Sequence, residues 1–147
     1  MFVSEIIDRK ESHIRTVGPD EPLEFCAAHM KLQGVGALVV CEHGRHLCGL
    51  LSERHILGAV VDHGPRALQM TAGEVMDPLP VTCARDDTVA AVARRMTQAR
   101  VRHVPVIEEG AIVGIVSIGD IVKERFEEME LERGVLRDMA GAHISAM

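Results

Sequence analysis

Apolar positions along this chain follow two rhythms. Val89, Val92, Ala93 and Met96 recur at i, i+3, i+4 and i+7, the stripe of a helix that buries one face. Short runs rich in β-branched residues follow a different pattern. They predict strands over Ala37–Val40 and Leu47–Leu51, and again over His103–Ile107 and Ile112–Val116. Each couple turns at a glycine, Gly44 or Gly110. Shorter runs at Ile14–Val17 and Pro80–Cys83 predict a leading strand ahead of each couple, and a second helix opens at Ser52 and again at Ser117.

The order β-α-β-β-α therefore occurs twice, and residue offsets tie the copies together. Thr16 and Thr82, Asp20 and Asp86, Leu23 and Val89, Ala27 and Ala93, Met30 and Met96, Val35 and Val101, and Val40 and Val106 all lie 66 positions apart. So do Gly44 and Gly110. Beyond that turn the offset is 65: Gly49 with Gly114, Ser52 with Ser117, Ile56 with Ile121. The extra residue thus falls in the first hairpin, where insertions are best tolerated. Two short strands and two one-faced helices cannot bury themselves alone. The expected fold is α/β (α+β), with two such repeats packed with pseudo-twofold symmetry. The expected divisions are repeat 1 over 1–66, repeat 2 over 67–126 and a C-terminal helical tail over 127–147.

The run VRHVPV, a turn, and then GIVSIGDIV resembles the CBS domain, named after cystathionine β-synthase. Two copies in tandem are similar to a Bateman module, and the resemblance covers about residues 1–126. GALVV, SERH and SIGDIVK are most similar to small bacterial proteins made of a CBS pair and little else. The resemblance implies a regulator that binds AMP, ATP, NAD or S-adenosylmethionine between its repeats. It also implies a homodimer and a regulated partner protein of unknown identity. Separately, MFVSEIIDRK is charged by its fifth residue and lacks a signal-peptide core, so a soluble cytoplasmic protein is expected.

The first candidate site is Gly114-Ile115-Val116-Ser117-Ile118-Gly119-Asp120, where a strand ends and a helix begins. A helix N-terminus presents free N–H groups to a phosphate. Ser117 adds a hydroxyl, Asp120 has two oxygens for a ribose diol, Gly119 permits close approach, and Ile115 belongs to the wall. The same Ser-x-x-Asp spacing is close to a capping box, in which Ser117 and Asp120 serve only the helix. Both readings stand at the level of sequence. Family resemblance implies that the first repeat closes this cleft, through His13, Arg15, Val35, Gly36 and Ala37.

The second cleft would carry Ser52, Arg54 and His55, closed by Val81, Thr82, Val101, Arg102 and His103. Here His55 stands where the family pattern has Asp. A neutral imidazole makes one hydrogen bond to a ribose and cannot clamp a diol. Arg54 and Arg102 could meet a phosphate or simply face solvent.

Composition narrows the alternatives. The net charge is −6, with Glu124, Glu127, Glu128, Glu130 and Glu132 grouped near the end, which argues against a nucleic-acid footprint. Trp and Tyr are absent, so a base would be held by aliphatic side chains. No apolar run is long enough to span a membrane. There is no G-x-G-x-x-G, no P-loop and no local sign of a catalytic triad, so a catalytic cofactor and an enzyme are not expected. Cys41, His43, His46 and Cys48 straddle the first hairpin turn at a spacing that is not a standard zinc motif. They define a competing reading, a metal-dependent redox or storage protein. The other competitor is a purely structural dimerisation module with non-functional nucleotide sites. Met129, Leu131, Val135, Leu136 and Met139 make a loose stripe, suited either to a partner subunit or to a frayed end.

Overall fold

The structure is a computed structural model, and it describes residues 1–10, 14–43 and 46–146. Its elements are α1 (Val3–Arg9), β1 (Thr16–Val17), α2 (Leu23–Gln33), β2 (Ala37–Glu42), β3 (His46–Ser52) and α3 (Glu53–His63). A 3₁₀ turn over Gly64–Gln69 follows, then α4 (Ala72–Val75), α5 (Val89–Ala99), β4 (His103–Glu108), β5 (Ala111–Ser117) and α6 (Ile118–Ala146).

The two hairpins are the most faithful part of the duplication. β2 pairs antiparallel with β3 so that Ala37 faces Ser52, and β4 pairs with β5 so that His103 faces Ser117. Both ladders carry a bulge at the equivalent place, between Val40 and Cys41 and between Val106 and Ile107. Both helices that follow are tied back to the start of their own hairpin. Glu53 N donates to the Gly36 carbonyl at 3.0 Å, and Ile118 N donates to the Arg102 carbonyl at 2.8 Å.

The leading strands are shorter than their apolar runs predict. In the first copy only Thr16–Val17 pairs, parallel to Val39 and Val40. In the second the expected strand Pro80–Cys83 reduces to one parallel bridge, Cys83 with Val106. Pro80 has no N–H to give a ladder, and the Thr82 carbonyl accepts from Arg95 Nη1 instead.

Side-chain alternation along β2 explains its unbroken apolar run. Leu38 and Val40 point into a core with Leu23, Cys26 and Met30 of α2, Leu51 of β3 and Ala59 of α3. Ala37, Val39 and Cys41 point the other way, into a layer shared with Leu50 and Ile112 that joins the two sheets. The second core gathers Val89, Val92 and Met96 of α5, Val104 and Val106 of β4, Val116 of β5 and Ile121 of α6.

Two short elements cross between the copies. α1, which the sequence pattern did not reveal, places Val3 and Ile6 in the second core. The segment after α3 returns the favour, with Ala67 and Ala72 buried in the first core. Cys26, Cys41 and Cys83 are buried thiols, and burial pushes Cys26 and Cys83 up to about 11. They behave as small apolar side chains. At its far end α6 runs unbroken as helix to Ala146.

Candidate functional site

Where the hairpins meet, the starts of β2 and β4 each face the helix start of the other copy. The result is two clefts of similar size. The first encloses about 400 Å³ between Ile115 and Ser117 of the second copy and Arg15, Val35, Gly36 and Ala37 of the first. These are six of the residues expected there from sequence. Ile7, Ile14 and Val113 complete an apolar slot. Its volume lies in the range that suits a small organic ligand.

Ser117 and Asp120 form a reciprocal capping box. Ser117 N donates to Asp120 Oδ2 at 2.8 Å, and Asp120 N donates to Ser117 Oγ at 3.1 Å. The half-buried carboxylate also accepts from Lys10 Nζ at 2.9 Å, and Lys10 donates to the Ile115 carbonyl at the same distance. Burial pushes Asp120 up, but Lys10 and the Ser117 N–H outweigh it and hold the carboxyl below its ordinary value. Lys10 is the charged residue of this cleft that sequence reasoning missed. It has no counterpart in the repeat motif and reaches the cleft only because α1 packs on the second copy.

Arg15 gives the cleft its second cation. Its Nε is buried and has no hydrogen-bond partner among the described residues. A buried donor without a partner costs roughly 1–3 kcal/mol, so a site that keeps one suits an acceptor brought by a ligand. Gly119 and Asp120, both expected in this cleft, lie outside its lining: Gly119 is exposed on the first turn of α6, and Asp120 borders the cleft only through Lys10 and Ser117, which do line it. His13 falls outside the described residues.

The second cleft encloses about 380 Å³ and is lined by Ser52, Arg54, His55, Val101, Arg102 and His103, as expected. Val81 and Thr82 do not line it. Val81 packs against the second core and Thr82 is turned to α5. Their place is taken by Asp77, whose N–H and carbonyl pair with Leu50, and by Arg100. His55 Nδ1 accepts from Ser52 N at 3.0 Å, so the imidazole occupies the capping place that the carboxylate of Asp120 fills in the other copy. Burial holds His55 below the usual histidine value, against the pull of Asp77 and with the help of Arg54. Arg54 Nη1 donates to the Arg100 carbonyl at 2.8 Å, and Arg100 has a left-handed backbone, φ 56°.

The Cys/His hairpin is not gathered. Cys41 is buried between the sheets, while His43 and His46 are exposed. Among the described residues no three His, Cys, Asp or Glu side chains converge on a point. No described helix is long and apolar enough to cross a membrane.

Comparison with known proteins bears on this arrangement. The family model described as "CBS domain" matches residues 3–62 and 72–127. The chain belongs to the CBS-domain family and carries two copies of the domain. It is 31% identical over 119 residues to the mitochondrial CBS domain-containing protein CBSX3 of Arabidopsis thaliana, covering 76% of this chain but only 58% of that one. A CBS-domain containing protein from Agrobacterium tumefaciens superposes with a TM-score of 0.82 at 37% identity, over 85% of this chain and 99% of that chain. A CBS domain protein from Pyrobaculum aerophilum, complexed with AMP, superposes with a TM-score of 0.76 at 26% identity, over 90% and 99%.

Proposed function

We propose that this CBS pair is a regulatory module that binds an adenine nucleotide in the cleft between Arg15 and Ser117 and carries out no chemistry of its own. The observation that carries this reading is the buried, unpartnered Arg15 Nε on the wall of a cleft that also holds Lys10. Guanidinium groups are well matched to phosphate, and Ser117 adds a hydroxyl. The aliphatic slot formed by Ile14, Val35 and Ile115 suits the faces of a purine in a chain without Trp or Tyr. Asp120 keeps Oδ1 for a ribose hydroxyl while Oδ2 caps the helix and holds Lys10. The capping role and the ligand role are thus compatible. The AMP complex of the Pyrobaculum aerophilum relative supports a ligand of the adenine-nucleotide class, with AMP as the first to test.

The second reading, a dimerisation module, is favoured by one observation. Val122, Phe126 and Met129 follow each other at helical spacing on α6 and are all exposed. A second copy of the chain would cover them, and dimerisation is compatible with nucleotide binding.

Calorimetry with AMP, ATP and NAD tests the proposal. Saturation with AMP at one hundred times Kd should stabilise the fold by about 2.7 kcal/mol. With no Trp or Tyr in the chain, bound adenine would also dominate its near-ultraviolet absorbance. If none of the three nucleotides gives heat or raises the melting temperature, the nucleotide reading is wrong and the dimerisation reading stands.

A further inference from the structure

We infer that the two clefts are coupled through His103, which takes up a proton when a nucleotide fills either cleft and thereby strengthens binding in the other. This rests on the nucleotide reading above and adds a regulatory link that the two cavities share.

The geometry is a common wall. Gly36 and His103 line both clefts. A Cβ on Gly36 would stand 3.2 and 3.3 Å from Cε1 and Nε2 of His103, and 2.6 Å from Oε1 of Glu53. The absence of a side chain at position 36 therefore lets an imidazole and a carboxylate lie against the same stretch of backbone. Glu53 begins the helix of the second cleft, whereas Ser117 on the far side of His103 ends the strand of the first.

Every element packed around the ring brings a charge to it. Glu53 comes from α3, Lys10 from the end of α1, Asp120 from α6, and Arg102 from the chain just before β4. Arg15 lines the first cleft, and Arg54, His55, Asp77 and Arg100 line the second. Burial is the main reason that His103 sits below the usual histidine value. Glu53 and Asp120 oppose it, while Lys10 and Arg102 add to it. The ring is therefore mostly neutral near neutral pH, and responsive to added negative charge. A phosphate in either cavity favours the imidazolium. Once formed, the imidazolium presents a cation to the other cavity, and linkage makes the effect mutual. A permanent Arg or Lys at this place could attract two phosphates but could not report one to the other. The equivalent residue in the first copy is Ala37, so the pair has one such ring and not two.

The experiment follows the His103 ring by NMR through a pH titration of the full chain, with and without saturating AMP, its resonance assigned by loss in His103→Gln. The pKa should rise by about one unit with AMP, which means that AMP binds about tenfold more tightly to the protonated form. Arg15→Ala and Arg102→Ala, each weakening one cleft, should each retain part of the rise. His103→Gln should flatten the pH dependence of AMP affinity. AMP binding with an unchanged His103 titration would overturn the coupling and leave the nucleotide reading intact. A rise abolished completely by one of the two Arg variants would also overturn it, since one cleft alone would then drive the ring. Failure of AMP, ATP and NAD alike to give heat or raise the melting temperature would remove the nucleotide reading and the coupling together. If an Arg variant fails to fold, AMP calorimetry on the wild-type chain takes its place: two sites that bind with positive cooperativity support the coupling, and a single site overturns it.

Discussion

Lys10 Nζ lies 2.9 Å from Asp120 Oδ2, and this pair fastens the end of α1 to the first turn of α6. It joins residues 110 positions apart, and Lys10 lines the first cleft. Replacing Lys10 with Met should cost about 1–2 kcal/mol, because a half-buried carboxylate loses a charge-assisted bond but keeps the Ser117 N–H. Urea unfolding at neutral pH measures the loss. The deficit should shrink below about pH 4, where Asp120 becomes protonated in the unfolded chain of both proteins.

Arg15 is predicted to serve the ligand at a cost to the empty fold. Its Nε is buried without an internal partner, so Arg15→Ala should not lower stability and should recover part of the roughly 1–3 kcal/mol that the stranded donor costs. The same change should weaken AMP binding tenfold or more, by about 1.4 kcal/mol or above. Equal affinity for AMP in the variant would show that Arg15 is not a phosphate ligand.

Arg100 carries a different cost, in its backbone. It caps α5 in the left-handed region, at the place where Gly34 caps α2 with φ 65°. A non-glycine residue is strained there, so Arg100→Gly should raise stability by about 0.5–1 kcal/mol. Its carbonyl holds Arg54 beside the second cleft, and glycine keeps that carbonyl, so the Arg54 contact should survive the change. A drop in melting temperature would contradict the assignment of strain.

Acid should unfold the protein in two stages. His55 and His103 have lowered values in the folded chain, so the unfolded chain takes up protons more readily. Their stabilising contribution is full above the ordinary value of 6.5 and is lost as pH falls through their lower folded values. Asp120 and Asp87 are lowered too, Asp87 first by the Ala84 N–H and then by Arg95. Their contribution is full above 3.8 and disappears as pH falls through the folded values. Urea midpoints measured from neutral pH to pH 3 should therefore fall in two steps, and His55→Gln should diminish the first. A single step below pH 4 would mean that neither imidazole is held neutral by the fold.

How much of this could be read from the sequence depends on which interactions are local. The hairpins, the helices after them and the pairing of the two copies were legible because offset and periodicity are properties of neighbouring residues. Even the bulges keep the offset. The two readings of Ser117 and Asp120 were both visible, and the structure realises the cap directly. Lys10 was not visible, since its role depends on where α1 packs. Asp77 and Arg100 escaped for a related reason. Each reaches the second cleft through backbone geometry, a pairing with Leu50 in one case and a left-handed cap in the other. Val81 and Thr82 were placed in that cleft by analogy with the first copy, and Pro80 undoes the analogy by removing a ladder donor.

The crossing of α1 also bears on how the chain comes to be assembled. Val3 and Ile6 are synthesised well before the residues that bury them, Val89, Val104, Val116 and Ile121. At about 5–20 residues per second, on the order of ten seconds separate the two events. During that interval α1 has no berth, and its apolar side is open to solvent or to a chaperone. The first repeat can collapse meanwhile, but the second cannot close until α1 docks. The pair should therefore reach its native state in order of arrival for one half and by the return of α1 for the other.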